Sequence, residues 1–204
     1  AHHLSQSRND MTTAMTRLAS GRRINSASDD AGSIGVAANL LAGVKGAAMA
    51  KQNANHAIAA TQVADSALVE VESMLQRVRE LKVQSLSTGT YSATDSTNLN
   101  SEITQLAAEI DAIAANTKFN GTAVSGMDLD PAIRQDGTTA DLALPAFLSG
   151  AVASGSTVAN IDTAINSAAA ARGSLGAFMN RLEAAVNNLS SIQANTSAAY
   201  SRIM

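Results

Sequence analysis

Long stretches of this chain contain no proline, and this feature most limits what it can fold into. Proline is absent from Leu4 to Ser87 and from Asp95 to Lys118, and both prolines, Pro131 and Pro145, lie in one segment. Proline interrupts a helix because it lacks an N–H and its ring clashes with the preceding turn. The sequence therefore predicts a long helix, a second helix, an irregular or β insert near residues 119–156, and a final long helix.

Apolar residues recur at alternating steps of three and four along each proline-free segment, which places them on one face of a helix. In the last segment the row keeps a heptad register to Leu189, with Arg172 as its polar interruption, and slips by one residue at Ile192. Three facing rows predict a mainly α fold, an elongated antiparallel helical bundle or coiled-coil rod with a small β-hairpin insert. The rows are Ala57, Ala60, Ala64, Ala67, Val71, Met74, Val78 and Leu81; Leu99, Ile103, Leu106, Ile110 and Ile113; and Val158, Ile161, Ile165, Ala168, Leu175, Met179, Leu182, Val186 and Leu189.

Short polar motifs mark the predicted ends of these helices. Residues 26–30 place serine and aspartate side chains before the first long segment, where they can cap exposed N–H groups. Residues 94–96 open the second helix in the same way. Asn120-Gly121 predicts a turn after the second helix, and Asp136-Gly137 predicts a hairpin between residues 132 and 144.

The composition excludes several classes of protein. Of 204 residues 46% are hydrophobic but only 2% are aromatic, so the core has to be aliphatic and rich in alanine. A net charge of -3 provides no basic excess for nucleic-acid binding. The absence of cysteine excludes disulfides and thiolate metal sites. No apolar run approaches the roughly 18 residues of a membrane span, and no secretory signal is recognisable, so we expect no membrane insertion.

The sequence contains no recognisable catalytic constellation, and we expect neither enzymatic activity nor a cofactor or metal. His56, the only histidine beyond the first three residues, falls within a predicted helix, where a packed or solvated role is the simpler interpretation. Residues 32–35 contain two glycines but match neither a phosphate-binding loop nor a dinucleotide fingerprint. The carboxylates at Asp128 and Asp130 lack the other oxygen ligands of a calcium loop.

A basic cluster at Arg17, Arg22 and Arg23 could bind phosphate. However, the chain has a net charge of -3, and no aromatic residue flanks the cluster. Local salt bridges are therefore the simpler interpretation.

Residues 18–31 resemble the N-terminal signature of bacterial flagellin, whose core reads SG-x-RINSA-x-DDA. The resemblance continues through residues 75–85, with the sequence LQRVRELKVQS, and through residues 119–121. Residues 172–177 and 201–203 resemble the C-terminal signature. The resemblance covers nearly the whole chain except about residues 125–157, so the sequence is identified as a member of the flagellin family.

This resemblance implies a structural subunit of the bacterial flagellar filament, which serves motility and assembles with other flagellin subunits. It implies passage through the flagellar export machinery with a chaperone, without a cleaved signal peptide, to the extracellular filament. The predicted segments are a partial inner helix and bend at residues 1–27, rod helices at 28–119, a short insert at 120–157 in place of outer domains, and a C-terminal rod helix at 158–204. Because the family's inner helices are present only in part, we expect a monomer.

The resemblance also implies roles for individual residues. The assembly and bend motif joins the inner helix to the rod, with Gly21 providing backbone freedom. A patch on the rod helices is expected to contact the host innate immune receptor for flagellin. The competing interpretation is structural: Leu81 lies on the heptad seam between helices, and Arg77 belongs to a solvated charged face. The motif comprises Ser20, Gly21, Arg23, Ile24, Asn25, Asp29 and Asp30, and the receptor patch comprises Arg77, Leu81 and Glu102.

Two other functions fit the same sequence pattern. A hook–filament junction protein shares the terminal helices with flagellin but matches this signature less closely. A soluble coiled-coil interaction module would bind a separate partner helix without needing the terminal helices.

Overall fold

The structure is a computed structural model that describes residues 2–87, 91–134, 136–139, 142–143, 152–153 and 155–204. Within these ranges the chain is mainly helical, as predicted, and its strands are short. The helices are α1 (His2–Ser20), α2 (Ala31–Ser85), α3 (Ala93–Asn116) and α4 (Val158–Ile203), and the strands are β1 (Lys118–Phe119), β2 (Thr122–Ala123), β3 (Asp128–Leu129) and β4 (Leu142–Ala143).

The two longest helices run without interruption. α2 has 55 residues and is therefore about 80 Å long at about 1.5 Å per residue. α4 has 46 residues and continues through the register slip at Ile192. The slip is accommodated within the helix because it changes which side chains face the neighbouring helix, not the hydrogen bonding of the backbone.

The chain divides into two compact units, each built from separated parts of the sequence. Unit 1 comprises Ala1–Gln52, Ile133–Thr138 and Ala185–Met204, and unit 2 comprises Asn53–Ala132 and Thr139–Ala184. Each unit therefore brings together parts of the chain that are far apart in sequence. The segments predicted along the sequence remain predictions.

Unit 1 has a small core. Ala47 and Ala50 of α2 form a cluster with Leu189 of α4, and the partly buried Ile192 packs against it. Ile24, which follows α1, is only 2% exposed. In contrast, every described side chain of α1 from His3 to Ser20 is exposed.

Unit 2 is a three-helix bundle, as the facing rows predicted. Its core cluster consists of aliphatic side chains from α2, α3 and α4 together with Val152, because few aromatic residues are available. In this unit α2 and α4 are antiparallel, since Arg79 pairs with Asp162 while the earlier Glu72 pairs with the later Arg172. The buried members of this core are Val71, Leu75, Val78, Leu81, Ile103, Ile110, Val152, Ile161, Ala164 and Ala168.

The predicted turn at Asn120-Gly121 is confirmed, whereas the hairpin predicted between residues 132 and 144 begins earlier, because its first strand is β3. Asn120 and Gly121 have φ values of 50° and 82° and connect β1 to the antiparallel β2. Asp128 and Leu129 of β3 pair with Ala143 and Leu142 of the antiparallel β4, while Gly137, with φ 82°, donates its N–H to the Arg134 carbonyl at 3.0 Å. Pro145 lies outside the described residues.

Candidate functional site

The bend between α1 and α2 begins at a glycine cap. α1 ends at Ser20, and Gly21 has a left-handed φ of 65°. The Gly21 N–H donates to the Arg17 carbonyl at 2.9 Å, which satisfies one of the carbonyls left open at the helix end. The Ser20 hydroxyl oxygen accepts a hydrogen bond from the Arg22 N–H at 3.2 Å. Gly21 thus adopts, at the end of α1, a backbone conformation that favours glycine.

The Asp29 side chain stabilises the centre of the bend by accepting backbone hydrogen bonds. One of its carboxylate oxygens accepts hydrogen bonds from the backbone N–H groups of Asn25 at 3.0 Å and Ser26 at 2.9 Å. These bonds, first the one from Asn25, lower the pKa of Asp29 below its usual value. The carboxylate thereby folds residues 25–29 into a closed loop.

Asp30 starts α2. Its Oδ1 accepts from the N–H groups of Gly32 at 3.1 Å and Ser33 at 3.0 Å, and the Ser33 hydroxyl donates to Oδ2 at 2.5 Å. The Ser33 hydroxyl is the main reason that the pKa of Asp30 lies below its usual value. The predicted capping role of Asp30 is therefore confirmed.

Arg23 and Ile24 bind the end of α4 within unit 1. The Arg23 Nη2 donates to the Ile203 carbonyl at 3.1 Å. The backbone N–H groups of Arg23 and Ile24 both donate to the Met204 carbonyl. The bend motif therefore joins α1, the start of α2 and the last turn of α4.

The basic cluster lies at an open recess of about 820 Å³ beside the bend. Arg17, Arg22 and Arg23 share the recess with the carboxylate of Asp10. Because the recess is open to solvent and contains both charge signs, it shows no built anion site.

An apolar row on α1 is left exposed by the part of the chain that the structure describes. Leu4, Met11, Met15 and Leu18 lie on one face of the helix, and their side chains are 71%, 63%, 67% and 87% exposed. In the unit 1 part of α2, the side chains of Val36, Leu41 and Met49 are also exposed. Large apolar side chains exposed in rows are typical of surfaces that bind another protein.

The predicted receptor patch lies on α2 and α3 in unit 2. The Arg77 Nη2 donates to Glu102 Oε1 at 2.9 Å, and its Nη1 donates to Glu80 Oε2 at 3.3 Å. The Glu102 carboxylate is the main cause of a raised pKa for Arg77. The side chains of Arg77 and Glu102 are 53% and 44% exposed. They form an accessible charged pair on the bundle surface.

Leu81 requires a correction. Its side chain belongs to the unit 2 core and is only 1% exposed, because the heptad seam of α2 passes through this position. A surface contact through the Leu81 side chain is therefore not available in this fold. The structure leaves Arg77 and Glu102 as the accessible members of the predicted patch.

The remaining candidates for chemistry are not brought together into a catalytic site. His56 is exposed and lines an open recess of about 360 Å³ together with Asn53 and Asp130. The side chain of Asp128 lies outside the described residues. Among the described residues, no group of three or more histidine, aspartate or glutamate side chains is placed to hold a metal ion.

Two ion-pair sites in unit 2 were not predicted from the sequence. Arg79 Nε pairs with Asp162 Oδ1 at 2.6 Å, and Arg172 pairs with both Asp65 and Glu72. The polar interruption at Arg172 was visible in the sequence, but its partners were not. The available signal was the heptad spacing of the two acidic residues on α2.

Part of α2 is more apolar than we expected from the sequence. One stretch of 18 residues has a mean hydropathy of 1.3 with 17% of it buried, so length and composition would allow it to cross a membrane. Alanine raises the mean hydropathy without adding much bulk, and core helices of soluble proteins pass the same criterion. The sequence-based expectation that no run approaches this range was therefore wrong, and the absence of membrane insertion remains a prediction.

Comparison with known proteins matches both ends of the chain to one family. Residues 1–124 match the bacterial flagellin N-terminal helical region, and residues 158–204 match the bacterial flagellin C-terminal helical region. Flagellin of Bacillus subtilis is 33% identical over 237 aligned positions, which cover 93% of this chain and 78% of the relative. Flagellin of Salmonella muenchen is 42% identical over 146 residues, which cover 70% of this chain but 29% of the relative.

The fold agrees with these sequence matches. The crystal structure of Bacillus cereus flagellin superposes with a TM-score of 0.61 at 29% sequence identity, covering 73% of this chain and 94% of that one. The family regions and the fold therefore lead to the same conclusion: the chain belongs to the bacterial flagellin family.

Proposed function

We propose that this chain is a structural subunit of the bacterial flagellar filament and assembles with other flagellin subunits. The observation that carries the proposal is the uncovered apolar row on α1 at Leu4, Met11, Met15 and Leu18. Burying such a row against other helices is favourable by about 25 cal/mol per Å² of apolar surface. Membership of the flagellin family supports helices of neighbouring subunits as the cover.

Substitutions on the two faces of α1 test this assembly. In the full-length protein expressed in a bacterium without its own flagellin, we expect Met11→Ser with Met15→Ser to abolish filaments seen by electron microscopy. Asn9→Ser with Thr13→Ser changes the opposite face of the same helix and should leave filament number and length unchanged. Normal filaments from the first pair would contradict the proposal.

Location and export follow from the same proposal. The subunit would leave the cell through the flagellar export machinery, held by an export chaperone, without a cleaved signal peptide, and would lie in the extracellular filament. Its role would be structural, with no reaction catalysed and no cofactor needed. Mass spectrometry of sheared filaments should therefore find the protein with an unprocessed N-terminal region.

We further propose that Arg77 and Glu102 contribute to recognition by the host innate immune receptor for flagellin. Both side chains are about half exposed, and they lie on adjacent helices, so one partner surface could contact both. We expect Arg77→Ala to reduce receptor signalling by at least about tenfold, corresponding to about 1.4 kcal/mol of lost binding.

Arg79→Ala is a matched control for this measurement. Arg79 is on the same helix, is 47% exposed and also forms an ion pair, with Asp162. It should leave signalling unchanged, and circular dichroism should show equal helix content in both variants. Equal signalling by Arg77→Ala and the parent protein would refute the proposed patch.

A further inference from the structure

Arg172 is a charged residue in the middle of an apolar seam. It interrupts the heptad row of α4 between Ala168 and Leu175, which are both 0% exposed. Its guanidinium reaches α2, where Nε donates to Asp65 Oδ1 at 3.0 Å and Nη1 donates to Glu72 Oε2 at 2.8 Å. One side chain is therefore bound by two carboxylates that lie a heptad apart on the opposite helix.

The apolar seam around Arg172 combines small alanines with larger buried side chains such as Leu68 and Leu175. Methyl groups differ little from one another in shape, so they pack similarly when two helices slide by one heptad, whereas larger side chains interlock in one arrangement. The alanine contacts in this part of unit 2 consequently specify the alignment only weakly and leave that task to the larger side chains and to the charges. The buried alanines are Ala60, Ala64 and Ala67 of α2 and Ala164, Ala168 and Ala171 of α4.

The charged residues on α2 distinguish between alignments of α4 that the alanine contacts leave nearly equivalent. Sliding α4 along α2 by one heptad, about 10 Å, would place Arg172 between Glu72 and Arg79, where two positive charges meet. Sliding in the opposite direction would place it between Ile58 and Asp65, where one carboxylate is lost. Only the observed alignment provides two acceptors for the guanidinium.

We propose that Arg172 is a positioning residue that sets the register between α2 and α4 in unit 2. A guanidinium suits this role because its planar fork carries separate N–H donors for two carboxylates, whereas an ammonium acts as a single point charge. Polar groups within a helical seam specify register in other coiled coils, even where they add little stability. The inference concerns the single chain and holds whether or not the chain assembles into filaments.

Spin labels can measure the register directly, because the chain contains no native cysteine. Gln62→Cys on α2 and Ser167→Cys on α4 replace exposed residues of unit 2. Double electron–electron resonance between the two labels should give one narrow distance in the otherwise unchanged chain. Arg172→Leu should add a second distance, shifted by several Å up to about 10 Å as α4 slips by a heptad.

Arg79→Leu is the matched control. It removes the other ion pair that joins the same two helices, but this pair is more exposed than the fork of Arg172. The single narrow distance should therefore persist in this variant. If Arg172→Leu keeps its helix content and also keeps the single distance, the proposed register role is overturned.

Two further variants answer the question if Arg172→Leu does not fold. Asp65→Asn with Glu72→Gln preserves the size of both acceptors but removes their charge. Arg172→Lys keeps the charge and loses the fork. We expect a broadened or double distance distribution in both; an unchanged narrow distribution in both would contradict the proposal.

Discussion

At the scale of single residues, the structure assigns opposite roles to two glycines. Gly21 has a φ of 65° and ends α1. Gly173 lies inside α4, and a Cβ built there would meet no atom within 4 Å. A left-handed conformation disfavours any side chain, whereas glycine inside a helix costs conformational entropy.

Replacing these glycines by alanine should therefore give opposite results. Gly21→Ala should destabilise the bend by about 1 to 2 kcal/mol, so the Ile24 amide, which donates to the Met204 carbonyl, should exchange with solvent about tenfold faster. Gly173→Ala should stabilise α4 by roughly 0.5 to 1 kcal/mol. Hydrogen exchange measures the first effect and urea unfolding the second; a shift of the same sign in both would contradict this assignment.

Acid should weaken the start of α2. The hydrogen bond from the Ser33 hydroxyl lowers the pKa of Asp30 below its ordinary value of 3.8. A lowered pKa means that the folded state favours the carboxylate, so this contribution is present above the ordinary pKa and is lost as the pH falls through the folded-state pKa.

Thermal unfolding followed from about pH 5 down to about pH 2 tests this dependence. In Ser33→Ala the pKa of Asp30 should lie closer to 3.8, and the loss of melting temperature on acidification should be smaller than in the parent chain. An identical acid dependence in the two proteins would show that the cap does not contribute.

At the scale of secondary structure, local patterns predicted the elements well. Proline-free segments, capping side chains and Asn-Gly or Asp-Gly pairs are local signals, and they predicted both the long helix α2 and the shorter helix α3. Which carboxylates bind Arg172 was not predictable, because that depends on the alignment of helices about 100 residues apart in sequence. The burial of Leu81 was suggested by its seam position but conflicted with the family-based role.

The N-terminal cap of α3 should contribute to the stability of that helix. The Ser92 Oγ accepts from the Asp95 N–H at 3.2 Å, and the Asp95 carboxylate accepts from the Ser92 N–H at 3.0 Å. Ser92→Ala should cost about 0.5 to 2 kcal/mol in urea unfolding. Ser101→Ala, in the exposed middle of α3, should be neutral or slightly stabilising because alanine favours helices. Equal effects of both substitutions would argue against a capping contribution.

At the scale of the whole molecule, family membership leads to a prediction about assembly. We expect the full-length protein to form filaments that bury the apolar row on α1, whereas Met11→Ser with Met15→Ser should leave it unassembled. Small-angle scattering of both proteins in the same buffer checks this expectation. Equal scattering from the two proteins would favour the interaction-module interpretation.

The ion pairs between α2 and α4 have a consequence for the rate of folding. Helical proteins usually fold fast because most of their contacts are local in sequence. Here Arg79 and Asp162 are 83 positions apart, and Asp65 and Arg172 are 107 positions apart. Closing so long a loop costs chain entropy before any contact compensates for it. Helix formation, within about a microsecond, should therefore precede a slower step in which α2 and α4 meet.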